Sequence, residues 1–181
     1  MGQTLWFASR ATGLVSLLLL TATVVLGASH SGRVATTRWP RFTLHAVHRN
    51  LSLLAVAFLA VHVATAIVDP YAGIAWLDVV VPFASTYHPF WLGLGAVALD
   101  LLVAVIVTSL VRTRLPLRVW RAVHLASYAL WPVALVHGWG IGGSDSSLSW
   151  VLALEGLCLA AVVVAVGLRL RATHPDSEAR R

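Results

Sequence analysis

The chain contains no lysine, a single cysteine and only seven acidic residues in 181 positions. Each scarcity excludes something. One thiol, Cys158, rules out an intramolecular disulfide, a CxxC redox pair and a cysteine-built zinc or iron–sulfur site. It lies in an apolar run and reads as a small buried side chain. Charged residues make up 11% of the chain against 59% hydrophobic, and mean hydropathy is +0.83. That is too little charge to clothe a soluble domain of this size. No GxGxxG follows a strand pattern, so no dinucleotide-binding domain is legible. The net charge of +6 comes wholly from arginine. With no basic helix face or aromatic-interleaved patch, no nucleic-acid partner is expected. There is no repeat, low-complexity linker or second domain.

What the chain has instead is long apolar runs. Five segments, near 6–27, 44–68, 90–111, 119–138 and 148–169, reach the roughly 20 apolar residues needed to cross a bilayer. The expected fold class is an all-α membrane protein, a five-helix transmembrane bundle with 1–181 as one domain in the lipid bilayer. Arginines orient it. Arg33, Arg38 and Arg41 lie in linker 28–43, Arg112, Arg114 and Arg118 in linker 112–118, and Arg169, Arg171, Arg180 and Arg181 at the end. Linkers 69–89 and 139–147 hold Asp69, Asp78 and Asp145 and no arginine. The positive-inside rule makes the arginine-rich loops cytoplasmic, with the N-terminus outside and the C-terminus cytoplasmic. A multi-pass protein of a plasma membrane is expected, in particular a bacterial cytoplasmic membrane. Cleavage of 1–28 as a signal peptide is disfavoured, because a signal carries basic residues before its apolar run and here they follow it. Linker 69–89, with Tyr71, Trp76 and Phe83, reads as containing a short helix at the outer interface. Trp6, Trp91, Trp139 and Trp150 fall at that same level, and Trp39 and Trp120 at the inner one.

Four histidines stand inside these runs. Thirteen residues separate His48 from His62, and twelve separate His124 from His137. Imidazole is costly in hydrocarbon and is usually retained there for function. The pairs span about 21 Å and about 19.5 Å at the helical rise of roughly 1.5 Å per residue. Segments two and four run in the same direction, which places His48 with His124 near the inner face and His62 with His137 near the outer. Two helices so equipped can hold two stacked haems. On an ideal helix His48 and His62 fall within roughly 40° of one face, whereas His45 misses His62 by roughly 100°, so His45 reads as interfacial. His124 and His137 are about 140° out of register. Pro132 lies between them, and a kink or altered turn there is expected to re-aim His137.

The segments HRNLSLLAVAFLAVH and WRAVHLASYALWPVALVH, with Ser9-Arg10-Ala11-Thr12-Gly13 and Thr108-Ser109, carry a resemblance over nearly the whole chain. They resemble the ferric-reductase-like transmembrane domain shared by NADPH oxidases, ferric reductases and the haem-bearing membrane subunit of bacterial methionine-sulfoxide repair. The resemblance implies two b-type haems. His48 and His124 would be axial iron ligands of the inner haem, His62 and His137 of the outer, with electrons passing outward. It further implies Arg10 near the outer haem, consistent with a propionate contact. An aromatic between the haems is also implied, for which Trp131 is better placed by depth than Tyr128. Packing is an equally good role for Trp131. Arg49 and Arg121 neighbour the inner ligands and read either as propionate contacts or as interfacial cations. Oxidase and reductase members continue into FAD and NADPH domains, but this chain ends about twelve residues after its last segment, so no such domain is expected.

The combined expectation is a di-haem b electron-transfer protein, an oxidoreductase membrane subunit needing a separate donor. That donor would be a cytoplasmic flavin reductase, an FMN or FAD held by a partner or at the cytoplasmic face, or membrane quinol. The acceptor would be ferric iron, dioxygen or an extracytoplasmic partner protein, met near Arg10, Trp139 and loop 138–143. No nucleophile or acid–base dyad is evident. The alternative is a haem or metal transporter with the histidines as a conduction ladder. A quinol-oxidising cytochrome b and a haem-free scaffold are further rivals. Asp100 and Glu155 read as membrane-embedded groups that either carry protons or make a helix–helix hydrogen bond. His88, Asp69 and Asp78 offer a weak metal trap, and His30 and His174 read as exposed.

Overall fold

The computed structural model describes residues 2–31 and 41–172. Arg33, Arg38, Trp39, His174, Arg180 and Arg181 lie outside the described residues, as do the side chains of His30 and Arg41. Apolar runs that leave water must satisfy their backbone N–H and C=O groups internally, and the helix does so within one segment. The elements are α1 (Gly2–Ser31), α2 (Arg41–Val68), α3 (Trp76–Val80), α4 (Pro89–Leu110), α5 (Leu117–Leu125), α6 (Ser127–Ile141) and α7 (Ser149–Ala172). Five spans are long and apolar enough to cross a membrane: Thr4–Ser29, Phe42–Val68, Pro89–Leu110, Leu117–Ile141 and Ser149–Arg171. The fold is all-helical among the described residues, as expected.

The fourth span departs from the sequence reading. It is two helices, α5 and α6, meeting at Ala126. The Ala126 N–H bonds to the carbonyl of Val123 and the Ala129 N–H to that of Ala126, at 3.0 Å each. These tight i→i+3 turns interrupt the α-helical ladder. The break lies six residues before Pro132, which sits inside α6. Proline cannot bond to the carbonyl four residues earlier, that of Tyr128, and its ring crowds that carbonyl. That carbonyl lies within α6, two residues beyond the break at Ala126.

α1 is the centre of the bundle, packed on α2, α6 and α7, while α4 packs on α6, α3 and α5. A buried cluster of Leu17, Val24, Trp131, Cys158 and Val162 joins α1, α6 and α7, and Cys158 is a buried thiol. Hydroxyls inside the spans are satisfied by backbone carbonyls one turn earlier, as with Thr12, Ser16, Thr23 and Ser52. Thr21 does more. Its hydroxyl donates to the Leu17 carbonyl at 2.7 Å and accepts the Trp131 indole N–H at 2.9 Å. Thr21→Val keeps the shape but strands a buried indole donor, so it is expected to cost about 2 kcal/mol of stability. Thermal unfolding in detergent micelles measures this, and an unchanged midpoint would contradict it.

The 69–89 linker places α3 with Trp76, Leu77 and Val80 exposed. Its carboxylates do not converge on a metal. Asp69 accepts the Tyr71 N–H at 3.1 Å, and Asp78 accepts the Ala75 N–H at 2.9 Å, capping α3. No cluster of three metal-ligating side chains occurs among the described residues. Each carboxylate is taken by the turn beside it, which spacing in sequence does not reveal.

Candidate functional site

α2 and α6 carry histidines toward each other while packing chiefly on α1 and α4. His62 of α2 and His137 of α6 face one another with ring centroids 6.5 Å apart. Each ring is fixed by a neighbouring helix. The Nδ1–H of His62 donates to the Ser9 carbonyl of α1 at 2.7 Å, with the Ser9 hydroxyl at 3.4 Å. The Nδ1–H of His137 donates to the Trp91 carbonyl of α4, also at 2.7 Å. A carbonyl only accepts, so Nδ1 carries the proton in both rings and Nε2 is left with its lone pair.

Each of these carbonyls lies four residues before a glycine, and the imidazole occupies the space a side chain would take. A Cβ on Gly13 would stand 3.0 Å from His62, and one on Gly95 would stand 2.6 Å from Cε1 and 2.8 Å from Nδ1 of His137. Another glycine of α1, Gly27, faces His48 fourteen residues later, matching the interval between His48 and His62. There a Cβ on Gly27 would lie 3.5 Å from His48, an ordinary contact.

Two cavities, of about 110 Å³ and about 330 Å³, flank the His62–His137 pair, and both histidines line both. The smaller is walled by α2, α4 and α6, including Leu59, Leu99 and Leu130. The larger is walled by α1, α6 and α7 and holds Arg10, Asp145 and Glu155 among apolar side chains. Arg10 thus sits beside the pair, its guanidinium carbon 5.1 Å from the Trp6 ring centroid. Glu155 is buried and makes no hydrogen bond among the described residues, so the helix–helix bond considered for it is not seen there. Gly138, Ile141 and Gly142 line the same cavity, whereas Trp139 is exposed.

At the other end His48 of α2 meets His124 of α5, again with ring centroids 6.5 Å apart. His124 stacks on Trp120 at 5.0 Å and 23°, and the Arg112 guanidinium lies 4.4 Å over that indole. His124 Nδ1 and Trp120 Nε1 are buried without a hydrogen-bond partner among the described residues. From sequence, Arg112 reads as a topology-setting loop arginine and Trp120 as an interfacial anchor. Their stack on a site histidine depends on the turn through Leu115 and Pro116, which no helical periodicity encodes. Arg49 and Arg121 are both exposed, and His45 is exposed one turn before His48. Trp131 is almost fully buried in the α1–α6–α7 core, bonded to Thr21, and lines neither cavity. Asp100, expected among the embedded charges, is exposed on α4.

The two pairs stand on three helices, α2, α5 and α6, and because His124 and His137 are on different helices they need share no helical face. A protein-family model described as ferric reductase like transmembrane component matches residues 12–135, taking in His48, His62 and His124 and ending two residues before His137. No curated protein and no solved structure matches the chain.

Proposed function

We propose, from the premise that the chain belongs to the ferric-reductase-like transmembrane family, that this multi-pass membrane protein passes electrons across a bacterial cytoplasmic membrane through two b-type haems. The observation that carries the reading is the repeated histidine geometry, with ring centroids 6.5 Å apart in both pairs. At an imidazole-nitrogen-to-metal distance of about 2 Å, two rings facing one metal atom have centroids roughly 6–6.5 Å apart. Histidines that hold a metal characteristically donate the other ring N–H to a backbone carbonyl, as His62 and His137 do.

His48 and His124 would hold the inner haem and His62 and His137 the outer. Haem supplies a one-electron couple whose potential follows its axial ligands, their hydrogen bonds and burial. The chain does the rest. The Ser9 and Trp91 carbonyls lock ring orientation and tautomer, and apolar walls exclude water from the outer pair. Arg10 offers a guanidinium to a propionate, a charge-assisted contact worth more in a dry site. Arg49 and Arg121 are the corresponding cations at the inner end. With the arginine-rich loops cytoplasmic, the donor is a cytoplasmic flavin, a flavoprotein or quinol. The acceptor is ferric iron, dioxygen or a partner protein at the outer mouth near Arg10 and loop 138–143. Rings pinned to carbonyls favour a resident cofactor over a conduction ladder, which needs side chains free to hand a metal onward.

Purified protein is expected to show a low-spin b-type spectrum on dithionite reduction, with two haems per chain. A colourless protein after expression with ample haem would overturn the reading. His45→Ala is expected to keep both haems.

A further inference from the structure

Glu155 stands on the buried stripe of α7 (Ser149–Ala172), which runs Val151, Glu155, Cys158, Val162 and Ala165. These are the i, i+4, i+7, i+11 and i+14 positions of one helical face. Cys158 and Val162 pack in the core with Leu17 and Trp131, so the face that carries Glu155 points into the bundle. The residue is only 8% exposed, and it lines the cavity of about 330 Å³ that His62 and His137 also line. Glu155 is six positions from the start of α7, and His62 is six positions from the end of α2. Each is about 9 Å from its helix end, which puts the carboxyl group level with the outer pair. A buried carboxyl group is costly unless it is paired or hydrogen-bonded, and Glu155 is neither among the described residues. α7 packs on α1 and on the turn between α6 and α7. The charged and titratable groups that face the cavity with Glu155 are Arg10 on α1, Asp145 in that turn, His62 on α2 and His137 on α6. Arg10 is always charged. Both imidazoles are committed, Nδ1 to a carbonyl and Nε2 to the proposed iron. Asp145 is half-buried in the outer turn. Among these groups, Glu155 is the buried one left to gain and lose a proton.

Resting on the two-haem reading above, we propose that Glu155 is the proton acceptor of the outer site. Its carboxylate takes up one proton from the outer side as that site gains an electron, and releases it when the electron leaves. An electron added in a dry site of low dielectric is electrostatically costly, and a proton on a carboxyl group at the same depth offsets it. The donor and acceptor of the two-haem reading supply and remove the electron, and outer water supplies the proton, so charge and atoms balance. Arg10 does not do this work, because its charge is the same in both oxidation states. Asp145 opens the cavity toward the outer side, since it lines the same space from the outer turn. No metal-ligating cluster among the described residues claims either carboxylate.

The test is a spectroelectrochemical titration of the purified two-haem protein in detergent micelles at a series of pH values. The midpoint potential of the outer haem is expected to fall by up to about 59 mV for each tenfold drop in proton concentration, the limit for one proton per electron. That of the inner haem should change less. Glu155→Gln, nearly isosteric, is expected to keep both haems and lose most of that slope, and Glu155→Asp to retain it. Reduced-minus-oxidised infrared spectra should show a protonated carboxyl band in the parent protein that Glu155→Gln lacks. The chain has two glutamates, Glu155 and Glu178, so isotope-labelled glutamate should shift the band without any substitution. A pH-independent outer potential, a slope undiminished in Glu155→Gln, or a band that labelled glutamate fails to shift would overturn the proposal and leave the two-haem reading standing. A haem-free protein would overturn that reading and the proposal with it.

Discussion

Replacing His137 by alanine is expected to take the purified protein from two haems per chain to one. The low-spin spectrum of the remaining haem should be intact. The two sites are separate. His137 and His62 converge at one end of the bundle, while His48 and His124 converge on α2 and α5 at the other. His48 and His62 are fourteen positions apart on α2, about 21 Å along the helix. Removing the imidazole also removes its hydrogen bond to the Trp91 carbonyl, a link between α6 and α4 worth about 1 kcal/mol. That is too little to unfold a bundle in which α1 also packs on α2, α6 and α7, and α4 on α3 and α5. His62→Ala should produce the same single-haem protein. The measurement is a haem-to-protein ratio with oxidised and reduced spectra. Equal loss of both haems with unchanged helix content would mean the two sites are not independent. Retention of both would remove His137 from the ligand set.

Gly95→Ala is expected to have nearly the same effect without touching a ligand. The added Cβ would stand 2.6 Å from Cε1, 2.8 Å from Nδ1 and 3.0 Å from Nε2 of His137. All three distances lie within van der Waals contact of carbon, and the imidazole is held against the Trp91 carbonyl one turn earlier. Either the ring leaves that carbonyl or α4 and α6 move apart. Both outcomes displace Nε2 from the axis it shares with His62. Overpacking of this kind costs typically 1–3 kcal/mol, so the protein should still fold, with one haem lost or left weakly held. A graded comparison guards against a general effect of alanine in these helices. Gly13→Ala, at 3.0 Å from His62, should weaken the same site less, and Gly27→Ala, at 3.5 Å from His48, should leave both haems in place. Equal loss from Gly27→Ala and Gly95→Ala would refute the steric account.

The legibility of this site in the sequence differs between its two histidine pairs for a physical reason. His48 and His62 lie on α2, an uninterrupted helix, so their alignment follows from residue spacing and a constant turn angle. His124 and His137 lie on α5 and α6, and the break at Ala126 removes the constant angle on which any register argument depends. Pro132 is the irregularity visible in the sequence, but it lies within α6, and the break falls at Ala126, which no proline marks. Arg112 and Trp120 show the same limit. Eight residues apart across a turn, Arg112 covers Trp120 and Trp120 stacks on His124 because of how that turn closes. Trp131 was legible as an aromatic at mid-depth, but its depth alone did not say that it would face Thr21 and the α7 core.

Composition and apolar run length by themselves determined that the chain is an all-helical, five-span membrane bundle, because hydrocarbon forces the backbone to bond within each segment. Spacing on one continuous helix determined that His48 and His62 share a face. Only the tertiary structure decided which groups those faces meet: the Ser9 and Trp91 carbonyls that lock two imidazoles, the glycines that admit them, and the core around Trp131. Helical periodicity sets each residue's angle about its own axis. The rotation of one helix against its neighbours is set by side-chain packing across the bundle, and no single segment contains that information.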